Sequence, residues 1–145
     1  MREIIVLANL VVTGYLTGLI WTIQVVQYPL FAWVGEGAFV RYHQGHTTRI
    51  SYVVAGPMVI ELLLSVALAL YHPAEFPATA AWACLLLTVL VWLSTFFVSI
   101  PIHDKLSSGY DAAHIARLAR SNWPRTAAWS ARLVILTLGT LTLLR

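Results

Sequence analysis

Read only for apolar and polar positions, the chain falls into four long apolar stretches, at about residues 4–34, 51–71, 79–100 and 124–144. A helix of about 20 apolar residues crosses a bilayer core of about 30 Å, so each stretch predicts a transmembrane helix. The first is longer than one crossing needs and is expected to tilt, to kink near Pro29 or to project beyond the bilayer. The uninterrupted apolar part of the fourth is only LVILTLGTLTLL. Breakers mark the boundaries: HPAEFP between the second and third stretches, Pro101 after the third, and Asn122 with Pro124 at the start of the fourth. Ahead of the fourth, DAAHIARLAR has helical spacing and an N-capping Asp111, which predicts a short interfacial helix. The expected fold is all-α: a four-helix transmembrane bundle with a short interfacial helix before the last crossing, one integral membrane domain over residues 1–145.

The N-terminal run reads as a retained helix, not a signal peptide. Its apolar part is about 20 residues long and continues into IQVVQYPLF without an A-x-A site. Gly14 and Gly18 form GxxxG within it, a spacing that permits close helix approach or that falls by chance in a membrane helix. No internal repeat is evident.

Composition strengthens the membrane reading. Of 145 residues, 59% are hydrophobic and 10% charged, and mean hydropathy is +0.78. A soluble domain of this size has no interior large enough for so much apolar surface, so lipid must solvate most of it. The net charge of +3 is small and scattered, which gives no footing for nucleic acid. Cys84 is the only cysteine and sits in the apolar AAWACLLLTVL, where it is expected to pack. Arg41, Arg49, Lys105, Arg117, Arg120 and Arg125 lie in the 34–50 and 101–125 segments, against Arg2 and Arg145 at the termini. The positive-inside rule then places those two segments in the cytoplasm and both termini outside.

Polar groups inside apolar stretches raise the functional questions. Glu61 lies about midway along the second crossing, and Arg132 sits at a comparable depth in the fourth. They are expected to pair, with Ser94 or Thr95 nearby, or else to leave Glu61 as a proton-handling carboxylate. His43 and His46 share one helix face in YHQGH, and His103 lies at the same membrane edge in PIHDKL beside Asp104. That set suits a transition metal such as zinc, iron or copper, or a haem, or else acid–base work; the simpler reading is a structural place among headgroups. Glu61 is about 22 Å from His46 along a continuous helix and belongs to no shared ion with it. His72 lies at the opposite edge, and His114 on the surface helix.

Two further faces look inward. Gln24, Gln27, Tyr28 and Phe31 follow helical spacing in the first crossing, as do Asn122, Arg125, Trp129 and Arg132 around the start of the fourth. They predict bundle packing or a pocket for an amphipathic molecule with an anionic or carbonyl end and an aromatic body. Of the six tryptophans, Trp92 and Trp129 lie deepest, where lining a cavity is possible; the others match interfacial belts. The candidate catalytic residues are Glu61 and Tyr28. The candidate substrate-binding residues are Gln24, Asn122, Arg125, Trp129 and Arg132, and the candidate metal ligands are His43, His46 and His103. No G-x-S-x-G, Walker, HExxH, EF-hand or CxxCH motif is present, so hydrolase and nucleotide chemistry gain no support.

The segments WTIQVVQYPLF, YHQGH, PIHDKL and NWPRTAAWSAR resemble a group of small bacterial four-helix membrane proteins. In layout the chain is distantly similar to the anthrone-oxygenase-like family, whose members include oxygenases of polycyclic aromatic substrates. The resemblance implies four helices in a bacterial inner membrane and inclines function towards redox work. The leading expectation is a membrane oxidoreductase or oxygenase acting on a lipophilic aromatic or quinone-like molecule. The competing one is a non-enzymatic module, an accessory subunit or small transport component in a homo- or hetero-oligomer.

Overall fold

The computed structural model describes residues 2–143. Among them there are helices and no strands: α1 (Arg2–Thr22), α2 (Tyr28–Phe31), α3 (Glu36–Tyr71), α4 (Ala78–Ser94), α5 (Ile100–Leu106), α6 (Ala112–Ser121) and α7 (Trp123–Leu143). Two π-helical turns, Ile23–Gln27 and Thr95–Ser99, join α1 to α2 and α4 to α5 without a break. The chain thus runs as four rods, Arg2–Phe31, Glu36–Tyr71, Ala78–Leu106 and Ala112–Leu143, each long and apolar enough to cross a membrane. This is an integral membrane protein built as a four-helix bundle. Only helices and closed barrels satisfy every backbone group in lipid, which is why apolar stretches of this length take no other form.

Around the bundle, α1 packs on α7 and α3, and α4 packs on the same two, closing a ring of four. Its exterior is apolar: Val11, Leu63 and Phe97 are 71%, 65% and 75% exposed. Its interior holds Asn9, Thr13, Glu61, Ser65, Thr88 and Arg132, all fully buried. Such inverted packing is stable only where the surrounding solvent is hydrocarbon.

Two prolines expected to kink or end helices lie inside continuous helical rods. Pro29 follows the first π-turn and Pro101 the second, each separated from it by one residue. Proline lacks the N–H that an α-helix donates four residues back, and its ring crowds that carbonyl. The π-turns open the spacing just upstream: the Tyr28 N–H bonds the Ile23 carbonyl, and the Ile100 N–H bonds the Thr95 carbonyl, both five residues back. The third rod therefore continues past Pro101 to Leu106, correcting the expected end near residue 100. The second rod is likewise longer than expected, a single 36-residue helix that carries YHQGH and Pro57 within it.

At one end of the bundle, α2, α5 and α6 pack together and build a roof. Asp111 caps α6 as expected, its carboxylate accepting from the His114 backbone at 2.9 Å and the His114 ring at 2.7 Å. Those two bonds hold the Asp111 carboxyl below the usual carboxylate range. Ile115 and Leu118 of α6 are buried beneath it. At the other end, Phe76 in the 72–77 connection is fully buried and packs with Val6, Leu68, Ala81 and Leu136. Gly139 makes room for it, since a methyl there would overlap the Phe76 ring. Gly14 and Gly18 do not act this way: a methyl on Gly14 would meet only Leu133, at 3.9 Å, and one on Gly18 meets nothing within 4 Å.

Candidate functional site

The polar interior divides into two systems with different chemistry. Near mid-bundle, Arg132 of α7 and Glu61 of α3 form an ion pair at 2.6 Å, both side chains fully buried. The partners expected from sequence, Ser94 and Thr95, do not join it; the Thr95 hydroxyl bonds the Val91 carbonyl instead. Arg132 Nη1 donates to Glu61 and Thr13, Nη2 to Asn9 (2.6 Å) and Ser65 (2.7 Å), and Nε to the Cys84 carbonyl (3.3 Å). A guanidinium has five N–H groups, and each has a partner here. Glu61 also accepts from Thr13 at 3.2 Å and from the Trp129 indole at 2.9 Å. Every charge and donor is answered inside the protein, which makes this layer a clamp on α1, α3, α4 and α7. Glu61, Trp129 and Arg132 thus bond directly, Glu61 accepting from both of the others.

About two turns along α7, the Arg125 guanidinium lies over the Trp129 ring, 5.3 Å from its centroid. Its Nη1 donates to Ser99 Oγ and Asn122 Oδ1, both at 3.1 Å. Asn122 donates in turn to Gln24 Oε1 at 2.9 Å, and Gln24 donates to the Ala119 carbonyl at 3.0 Å. Gln24 and Asn122 thus hold Arg125 in place. Unlike Arg132, Arg125 has a buried Nε with no partner, and so does the indole Nε1 of Trp92.

Both residues line a cavity of about 300 Å³ between α3 and the α4–α5 rod. Its walls are mainly apolar, with Val54, Met58 and Phe96, while Tyr28, His46, His103 and Arg125 supply polar groups. Residues of the second π-turn and its neighbour, Thr95, Phe96, Ser99 and Ile100, form one side of it. A larger groove of about 680 Å³ lies between α1 and α3, bordered by Arg41, Tyr42 and Arg49. The two spaces share Ile23, His46 and Ile50, so His46 stands in the wall between them.

The three candidate histidines do converge, from α3 and α5. His103 stacks on His43 (5.2 Å, 28°) and lies 6.2 Å from His46, ring centre to ring centre. Phe39 stacks on the other face of His43, and Phe31 meets the edges of His43 and His46. The ring nitrogens of His43 and His103 are engaged within the protein. His43 Nε2 lies 3.0 Å from His103 Nδ1, His103 Nε2 lies 3.2 Å from Tyr28 Oη, and His43 Nδ1 lies 3.4 Å from Ser107 Oγ. Among the described residues no group of three or more His, Cys, Asp or Glu is placed to hold a metal ion. Of the expected metal or haem set, His43 and His103 are hydrogen-bonded to each other, and His46 lies against them through its ring. Asp104 is exposed beside it, and His72 bonds the Pro73 carbonyl at the far end.

Sequence reasoning missed Ser99 and Ser107, because one serine among many carries no signal until the helix register is known. It also missed Asn9, Thr13 and Ser65, whose spacing in α1 and α3 resembles that of any polar residue packed in a membrane helix. No family model matches the chain, and no curated protein or solved structure matches it either.

Proposed function

We propose that this protein is a membrane oxidoreductase whose cavity takes a lipophilic aromatic molecule bearing a carbonyl or hydroxyl oxygen, a quinone-like compound. The observation that carries this reading is the pair of buried, unpartnered donors, Arg125 Nε and Trp92 Nε1, on residues that line one apolar cavity. An orphaned buried donor costs about 1–3 kcal/mol, so two at one cavity favour a ligand that brings acceptor oxygens. A planar aromatic head fits among Met58, Trp92 and Phe96, and the adjoining groove suits an apolar tail. Tyr28 and His103 at the cavity wall supply acid–base groups of the kind that quinone chemistry requires. The chain's own residues bind the ligand and handle protons, and electrons are exchanged with a second redox partner. The charge bias of Arg41, Arg49, Lys105, Arg117 and Arg120 supports a cytoplasmic placement for this end of the bundle.

Titration calorimetry with 1,4-naphthoquinone, on protein held in nanodiscs and with empty nanodiscs as blank, tests the reading. Saturable binding is expected, weakened about tenfold by Trp92→Phe and by Arg125→Gln, since one hydrogen bond of this kind is worth about 1.4 kcal/mol or more. Absence of saturable binding, or equal affinity in both variants, overturns it and leaves the non-enzymatic module as the better description.

A further inference from the structure

The histidine stack has a direction, and one serine sets it. Ser107 Oγ lies 3.0 Å from the His103 carbonyl and 3.4 Å from His43 Nδ1. A hydroxyl has one hydrogen, and a carbonyl only accepts, so the hydrogen goes to the closer carbonyl. Ser107 Oγ therefore meets His43 Nδ1 as an acceptor, and His43 carries its hydrogen on Nδ1. The bare Nε2 of His43 then accepts from His103 Nδ1 at 3.0 Å. His103 is left with a bare Nε2, which accepts from the Tyr28 hydroxyl at 3.2 Å. Every donor in the chain points the same way, from the cavity towards the half-buried Ser107 at the roof of the bundle.

We propose that Tyr28, His103, His43 and Ser107 form a proton exit wire, and that its substrate is the hydroxyl form of the cavity's ligand, a hydroquinone or phenol. The proposal rests on the cavity being a site for such an oxygen. The wire moves one proton in and one out. The ligand O–H bond breaks and its proton joins Tyr28 Oη as the Tyr28 hydrogen passes to His103 Nε2. The Nδ1 hydrogen of His103 passes to His43 Nε2, that of His43 to Ser107 Oγ, and the Ser107 hydrogen leaves to water. The ligand remains as an oxyanion near the guanidinium of Arg125, the charged group on α7 that faces Tyr28 and His103. His46 of α3 flanks the stack through its ring and is the other titratable group facing His103. Asp104 and Lys105, on the same helix as His103, are exposed and lie outside the wire.

Nitrogen-15 NMR of histidine-labelled protein in nanodiscs, without ligand, reads the wire directly. His43 and His103 are both expected as single tautomers with hydrogen on Nδ1, and Ser107→Ala is expected to leave each as a mixture. Hydrogen on Nε2 of either ring in the unmodified protein, or tautomers indifferent to Ser107→Ala, overturns the proposal. The second arm uses 4-nitrophenol in mildly acidic buffer, where it reaches the site un-ionised and its colour reports ionisation of its hydroxyl. Ser107→Ala is expected to keep its affinity and to slow its ionisation in the site by about a hundredfold, the scale of one general acid–base contribution. Unchanged ionisation overturns the exit role. Correct tautomers with no binding of the probe overturn the ligand reading and leave the polarity of the wire standing.

Discussion

Two arginines seven residues apart on α7 show how a buried charge can be structural or available. Arg132 has all five N–H groups answered, whereas Arg125 leaves Nε buried and open beside a cavity. The difference predicts opposite phenotypes. Glu61→Gln removes the countercharge from a fully buried guanidinium and is expected to lower stability by about 3–5 kcal/mol, the scale for breaking a buried pair. Denaturation of the variant in mixed detergent micelles checks this, and a change below about 1 kcal/mol would contradict the clamp. The Glu61–Arg132 pair was readable in the sequence because two intramembrane charges at matching depth have few alternatives. Its other partners were not, because the direction of a threonine or serine hydroxyl depends on the rotation of each helix against its neighbours. The same limit hid Ser107, whose role exists only once α5 lies against α3.

Among the elements, the π-turns decide the most. A π-turn adds one residue to a helical turn and so rotates everything after it by about 100° relative to an uninterrupted α-helix. Tyr28 follows the first π-turn and His103 the second, and these two residues share a hydrogen bond. Pro101→Ala restores the missing N–H and removes the crowding that favours the open turn. The variant is expected to fold, since α-helical geometry becomes available at no cost in hydrogen bonds, but to carry His103 out of the stack. Loss of the ordered His43–His103 tautomers in the nitrogen-15 spectrum, with an unchanged far-ultraviolet helix signal, is the expected outcome. Apolar length and the capping Asp111 made the rods and α6 legible in advance. Pro101 misled because a proline after an apolar run reads as a stop, and the i to i+5 bonding that carries the helix past it leaves no mark in residue type.

At the scale of the whole molecule, the bundle is layered along its length. A small apolar cluster around Phe76 fills one end, the charged clamp lies above it, and the aromatic and histidine site fills the other end. Gly139 is where the first layer is tightest, so Gly139→Ala is expected to displace Phe76 and lower stability by about 1–3 kcal/mol, as overpacking does. Gly14→Ala, facing open contact distance, is expected to change stability by less than about 0.5 kcal/mol in the same assay. The GxxxG spacing is therefore not what brings these helices together.

The clamp has one more effect, on traffic. With its donors and charges satisfied internally, it offers a passing proton or polar ligand nothing to bind, and it lies across the bundle between the cavity and the far end. A molecule dissolved in the membrane would therefore enter sideways from the leaflet nearest the histidines and leave by the same door. On the proposed reading the bundle is a cul-de-sac, exchanging protons with the water on one side only.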